Sequence, residues 1–193
     1  LKSDVHVLTL TATPIPRTLQ LSLSGVRDLS IIGTPPVDRL AIRTYVSEFD
    51  AIVVREALLR EHYRGGQSFF VAPRISDLQE IESFLTDQIP EISFITAHGQ
   101  MSAPELDERM NHFYDGKFDV LVATSIVESG LDIPRANTLI VSNADMFGLA
   151  QLYQIRGRIG RSKTRAVAFL TTKPRTQLTT EADARLRVIA SLG

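Results

Sequence analysis

Apolar and β-branched residues fall in short runs along the chain, at Val5–Leu10, Ala41–Val46, Phe69–Ala72, Ile92–Ile95, Val120–Thr124, Thr138–Ser142 and Ala166–Leu170. Short runs of this kind predict buried strands. Between most of them the apolar positions recur at helical spacing, over Asp50–His62, Ser76–Leu85, Ala103–Tyr114 and Leu149–Arg161, and again over Glu181–Leu192. These segments predict amphipathic helices. Strands alternating with helices imply βαβ units, hence an α/β fold with a mainly parallel sheet covered by helices on both faces. The punctuation agrees. Ser102 precedes Ala103-Pro104-Glu105, an N-cap with Glu at the third helical position, and Gly116 follows the helix.

Pro restricts both itself and the residue before it. Gly33-Thr34-Pro35-Pro36-Val37-Asp38 is therefore the expected linker, dividing residues 1–36 from a compact domain over 37–175, with 176–193 beyond it. The chain has 193 residues, enough to bury a sizeable core. It opens on Leu1 with a strand almost at once and stops inside a helical pattern, so it reads as a piece of a longer protein.

Composition narrows the chemistry. With 44% hydrophobic and 22% charged residues and a net charge of −1, the chain has an ordinary globular composition and no overall basic field. Any nucleic-acid contact must use a local patch, and Arg156, Arg158, Arg161, Lys163 and Arg165 supply one within ten residues. The chain contains no Cys, which excludes disulfides and thiolate zinc sites and fits a reducing compartment. No apolar run approaches the ~18 residues of a membrane-spanning helix.

Gln154, Arg158 and Arg161 stand at i, i+4 and i+7, and on a continuous helix they would share one face. Two guanidiniums aimed together suit a phosphate, because the planar fork stays charged and binds oxygens in pairs. Gly157 and Gly160 would each cost a helix interior about 0.5–1 kcal/mol relative to Ala. That cost implies a close approach there by a ligand or another backbone; a solvated basic helix is the plain alternative.

Ligands of open parallel sheets bind beyond the carboxyl ends of the strands. Three clusters follow strands. Thr124-Ser125 and Glu128–Asp132 offer hydroxyls, a Gly turn and a carboxylate, or simply a loop capped by Thr124. Thr96–Gln100 contains His98 and Gly99, which read either as a plain turn or as a phosphate contact. Thr11–Leu19 is a stiffened strand-to-helix turn with unusual hydroxyls and Arg17. Asp107-Glu108 sits on a polar helix face, Met101 and Met110 read as core filler, and the four His show no metal-ligand spacing. The 193 residues hold no Gly-x4-Gly-Lys-Ser/Thr and no strand ending in an Asp-Glu pair.

Gln154–Arg161 resembles the last motif of superfamily 2 helicases, Thr124–Asp132 the motif before it, and Thr11-Ala12-Thr13-Pro14 the coupling motif that ends the first motor lobe. Thr11–Leu19, with Leu23–Ile32, Thr34-Pro35-Pro36 and Arg39-Leu40-Ala41, is similar to the bacterial transcription-repair coupling factors. The RecG helicases are the nearest alternative; they share Thr11–Leu19 but diverge over Ser24–Leu40.

The resemblance implies a RecA-like second lobe over 37–175, with the tail of the first lobe at 1–36 and the start of a translocation helical hairpin at 176–193. It implies that Arg158 and Arg161 reach the ATP γ-phosphate across an interlobe cleft, and that Gln154, Gly130 and Asp132 approach the nucleotide. Thr124, Ser125, His98, Gly99 and Arg74 would lie against DNA, while Thr11, Thr13 and Arg17 would couple nucleotide state to DNA grip.

On the same resemblance the intact protein is a cytoplasmic double-stranded-DNA translocase using ATP and Mg²⁺. Its partners would be RNA polymerase and excision-repair proteins, bound through modules outside this chain. The 193 residues alone are expected to be inactive as an ATPase. RecG-like fork remodelling and a non-catalytic DNA- or partner-binding lobe are the alternatives.

Overall fold

The computed structural model describes residues 41–124 and 133–191, all within the unit Pro36–Gly193. The expected strand Val5–Leu10, the coupling residues Thr11, Thr13 and Arg17, and the loop residues Ser125, Gly130 and Asp132 lie outside the described residues.

Six strands form one sheet: β1 (Arg43–Glu48), β2 (Gln67–Val71), β3 (Phe94–Ala97), β4 (Val120–Ala123), β5 (Ala136–Val141) and β6 (Val167–Thr172). Their order is β1-β6-β5-β2-β4-β3, and every pairing is parallel. The inner strands β2, β4 and β5 are buried along their whole length; each carries an apolar run, Phe69–Val71, Val120–Ala123 and Leu139–Val141, with buried Gln67, Ser68 and Asn137 at the amino ends. Thr138 sits on β5 without breaking this pattern, since a β-branched residue packs well on a pleated surface.

A parallel strand needs a crossover, so the chain returns by helices α1 (Ala51–Tyr63), α2 (Leu78–Gln88), α3 (Ala103–Tyr114) and α4 (Leu149–Arg156), and closes with α5 (Thr180–Ser191). Two apolar clusters show how they are layered. Val54, Ala57 and Leu58 of α1 join Leu78, Ile81 and Leu85 of α2 on one face. Met110 and Phe113 of α3, Leu152 and Ile155 of α4, and Leu186 and Ile189 of α5 fill the other. The fold is thus a three-layer α/β arrangement, as the resemblance implies for this lobe.

Local chemistry sets the helix ends. The Asp50 carboxylate accepts the amides of Ile52 (2.9 Å) and Val53 (3.3 Å), opening α1. Ser102 Oγ accepts the Glu105 amide at 3.4 Å, opening α3. Gly116, with φ +79°, closes α3: its amide donates to Phe113 O and the Lys117 amide to His112 O. That paired arrangement needs a left-handed residue, which Gly adopts without a Cβ penalty. Gln67 then ties the start of β2 to this turn, donating from Nε2 to Phe113 O and Phe118 O, each at 2.8 Å.

Several expected bounds shift by about two residues, and two shifts bear on the site. The helix expected over Leu149–Arg161 ends at Arg156, with Gly157 at its cap. The third strand begins at Phe94 rather than Ile92, because Ile89 and Ile92 turn under α2 and bury there.

Phe113 is fully buried and tilts against Phe69 at 5.7 Å between ring centres. Phe113→Ala is expected to lower unfolding free energy by about 3–5 kcal/mol, and Ser102→Ala by about 1 kcal/mol. Urea titration of the chain followed by far-UV circular dichroism checks both; equal effects of the two would contradict this reading of the core.

Candidate functional site

The parallel sheet brings all strand carboxyl ends to one edge. Arg74 follows β2, Thr124 follows β4, and His98 and Gly99 follow β3. Because β2, β4 and β3 are consecutive neighbours, these residues line a strip roughly 10 Å wide at that edge. Thr124 is buried, whereas Arg74 and Gly99 are exposed. His98 is half-buried, and its Nδ1 accepts the Gln100 amide at 3.3 Å, while the Met101 amide donates to its carbonyl. The loop is therefore a closed turn with one imidazole nitrogen used internally. Nothing lies within 4 Å of where a Gly99 Cβ would stand, so packing in this chain does not itself demanda glycine there.

Arg74 is held as a fork on Asp77, with Nη2 to Oδ1 at 3.1 Å and Nε to Oδ2 at 3.2 Å. The hydrogen-bonded Asp77 carboxylate, reinforced by its charge, raises the Arg74 pKa. Its cation is pointed rather than free to swing, at little gain in stability for so exposed a pair. A groove of about 460 Å³ runs from Arg74 past Ser142, Asn143 and Lys173. Asn143 adopts the left-handed region at φ +49°, which Asn tolerates better than most side chains. Asn143 and Lys173 were missed in reading the sequence. The available signal was their position, one or two residues beyond the ends of β5 and β6.

The arginine stretch is elsewhere. The strand order and direction make α4 run back from the carboxyl edge toward the amino edge. Ser162 Oγ there donates to Asn137 Oδ1 at 3.2 Å, beside the start of β5. Gln154 lies on α4, half-buried. Arg158 and Arg161 lie beyond its end, so the shared helical face expected for the three does not exist. Gly160, with φ +75°, turns the chain beyond the helix. A Cβ there would stand 3.0 Å from Ile42 Cγ1 and 3.3 Å from Ala166 Cβ. The close approach expected at this glycine is thus made by the chain's own core.

Arg158 is half-buried, and the exposed Arg161 donates from Nη2 to Gly157 O at 3.2 Å, bracing the turn. The basic stretch is also divided. Arg156 turns inward, donating to Thr44 Oγ1 (3.4 Å) and Ile189 O (3.3 Å), with its guanidinium 5.8 Å from the Tyr153 ring centre. Burial lowers its pKa, partly offset by Tyr153. Arg165 lines a groove on the α1 face instead.

The strip and the turn therefore form two separate basic features, one at each edge of the sheet. The family of helicase conserved C-terminal domains matches residues 50–163, more than half the chain. The chain belongs to that family. It is 55% identical over 189 residues, 98% of its length, to the transcription-repair-coupling factor of Rickettsia bellii, and 52% identical over its whole length to that of Escherichia coli. In each case it spans 17% of the relative's length. Among solved structures, RecG bound to a three-way DNA junction matches 93% of this chain and 24% of RecG, at 37% identity and a TM-score of 0.77.

Gly160→Ala is expected to destabilise the chain by about 1–2 kcal/mol, since a left-handed backbone is strained for any L side chain and the site is closed by Ile42. Gly99→Ala is expected to change stability by less than about 0.5 kcal/mol. Thermal or urea unfolding of the two variants checks the contrast; equal losses would contradict it.

Proposed function

We propose that this chain is the second motor lobe of an ATP-dependent double-stranded-DNA translocase that displaces stalled RNA polymerase and couples transcription to nucleotide excision repair. The observation that carries the reading is identity of more than half over essentially the whole chain to transcription-repair-coupling factors, against 37% to RecG. RecG-like remodelling of branched DNA is the second reading, supported by the RecG–junction likeness over 93% of the chain.

The two edges have different chemistry to offer. At the carboxyl edge, Arg74, Thr124, His98 and Gly99 form a strip suited to one DNA backbone, with Ser125 carried over from the family motif. A hydroxyl, an oriented guanidinium and a turn without a Cβ let phosphates approach closely, and such contacts position without reading sequence. At the turn after α4, Arg158 and Arg161 are the groups suited to nucleotide phosphate, since guanidiniums remain charged and bind oxygens in pairs. The exposure of Arg161 and the Gly160 turn beside it fit insertion into a partner lobe's site. Gln154, Gly130 and Asp132 would complete the nucleotide contacts, and Thr11, Thr13 and Arg17 the link between lobes. ATP with Mg²⁺ would supply the free energy for stepping. The helix α5 would begin the element that passes lobe movement to the duplex.

In the complete protein, Arg158→Ala or Arg161→Ala is expected to lower ATP hydrolysis by about 10³-fold or more while leaving DNA affinity nearly unchanged. Arg74→Ala should do the reverse, weakening DNA binding with a shallower salt dependence. Phosphate release and fluorescence anisotropy separate the two. The 193 residues alone are expected to show no DNA-stimulated phosphate release, and clear hydrolysis by them would overturn the assignment of the main phosphate cradle to another lobe. Comparing the complete protein on a stalled elongation complex and on a branched junction decides between the two readings.

A further inference from the structure

Among the described residues, the two faces of the sheet are not equally covered. On the α3–α5 face, helix α5 lies over β1, with Val46 against the core and Thr44 bonded to Arg156. On the other face, α1 and α2 cover the inner strands and stop short of β1. Tyr45 of β1 is 47% exposed there, stacked on Phe169 of β6 at 5.5 Å with the ring planes 22° apart. Val53 on α1 is 40% exposed beside them. Together these residues floor a groove of about 480 Å³ between α1 and the outer strands.

The rim of this groove is basic. Arg43, Arg60, Arg64 and Arg165 line it, against Glu56 and Glu61. Glu61 is buried and spoken for: Arg64 binds it through Nη2 at 2.9 Å and through Nε, and also donates to Arg165 O at 3.0 Å. Arg43, Arg60 and Arg165 are exposed, and none forms an ion pair or side-chain hydrogen bond among the described residues. An excess of unneutralised cations round an apolar floor is unusual in a chain whose net charge is −1.

The same place holds an open strand edge. Among the described residues, β1 pairs only with β6. The Arg43 amide donates to Ala166 O and the Phe49 amide to Thr172 O, so the alternation of a parallel ladder turns the backbone groups of Thr44, Val46 and Glu48 outward. β1 contains neither Pro nor Lys, two common devices that blunt an edge.

We infer that β1 and the arginine-rimmed groove beside it bind an extended acidic peptide segment of another protein or domain. The segment adds as a strand to β1. Its carboxylates meet Arg43, Arg60 and Arg165, and its apolar side chains cover Tyr45, Val53 and Phe169. Main-chain pairing supplies affinity and the alternating side chains supply selectivity. Charge complementarity favours an acidic partner. A peptide is favoured over a nucleic-acid strand because strand addition uses the outward amides of β1, which a sugar-phosphate backbone cannot pair with as a strand. The surface is separate from the strip at the carboxyl edge, so this inference does not depend on the translocase reading.

The test uses the 193-residue chain and a fluorescein-labelled peptide of Glu-Ser-Phe-Ser repeats, which places Glu and Phe on one face when extended. Saturable anisotropy is expected, weakened about tenfold or more by Arg43→Glu with Arg60→Glu, and by Tyr45→Ala, but not by Arg74→Ala. A peptide with Lys in place of Glu should not bind. N-methylating alternate backbone nitrogens should abolish binding in one of the two registers, a loss that groove binding without strand pairing does not produce. Circular dichroism of the variants confirms that they fold; Arg165→Glu replaces any that does not. Equal binding by the charge-reversed protein, or by both N-methylated peptides, overturns the inference. So does oligo-dT binding lost in the same variants, which would make the groove a nucleic-acid site. Sedimentation showing a dimer that Arg43→Glu dissolves would give the edge to a second copy of the chain and equally overturn it.

Discussion

The parallel hydrogen-bond ladder of β5, β2 and β4 is the constraint on which everything else rests. Those three strands are buried on both faces, so their amides have no water to turn to and must bond to one another. Parallel pairing forbids tight hairpins and sends the chain back through a crossover each time. It follows that every strand ends at one edge and most helices return toward the other. Residues separated by tens of positions, such as Arg74, His98 and Thr124, become neighbours for that reason alone. The arginine turn, which follows a returning helix, is carried to the opposite edge by the same rule.

On the function proposed above, a lobe that holds a polymer and answers to a nucleotide gains from keeping those contacts apart, because each can then be rearranged without dismantling the other. The structure supplies the rigid body between them: a sheet packed on both sides, with α4 bound to α5 and β1 through Arg156. The exposed positions sit on turns pinned at fixed points. Gly160 is wedged against Ile42 and Ala166, Arg161 is braced on Gly157, and Arg74 is forked on Asp77. Gly160 and Arg161 fix their turn, and Asp77 orients the exposed Arg74 guanidinium.

Much of this was legible from the residues. The inner strands announced themselves because burial on both faces demands unbroken apolar runs, and α3 because Ser102, Pro104 and Gly116 mark both ends chemically. β2 and β5 were expected two residues late, because their first residues include buried polar ones, Gln67-Ser68 and Asn137, ahead of their apolar runs. β1 was expected two residues early, since a strand half exposed on one face carries Arg43, Ser47 and Glu48 among its members and so lacks a clean pattern. The end of α4 was overrun for a related reason. Ile155 and Ile159 keep helical spacing, yet Ile159 reaches the core from a turn.

What the chain by itself determined is the class of fold, the residues that cap its helices, and the family, because these depend on local periodicity and on motifs contiguous in sequence. Which side chains stand together was decided only by the tertiary structure. Five basic residues within ten positions look like one patch, but Arg156 is drawn inward by carbonyl and hydroxyl acceptors while Arg165 faces a groove across the sheet. The uncovered face of β1 leaves no mark in the sequence at all. Tyr45 and Phe169 are ordinary strand residues until the sheet order makes them neighbours and, among the described residues, no helix covers them. Contact across a parallel sheet depends on strand order, which no short stretch of sequence encodes.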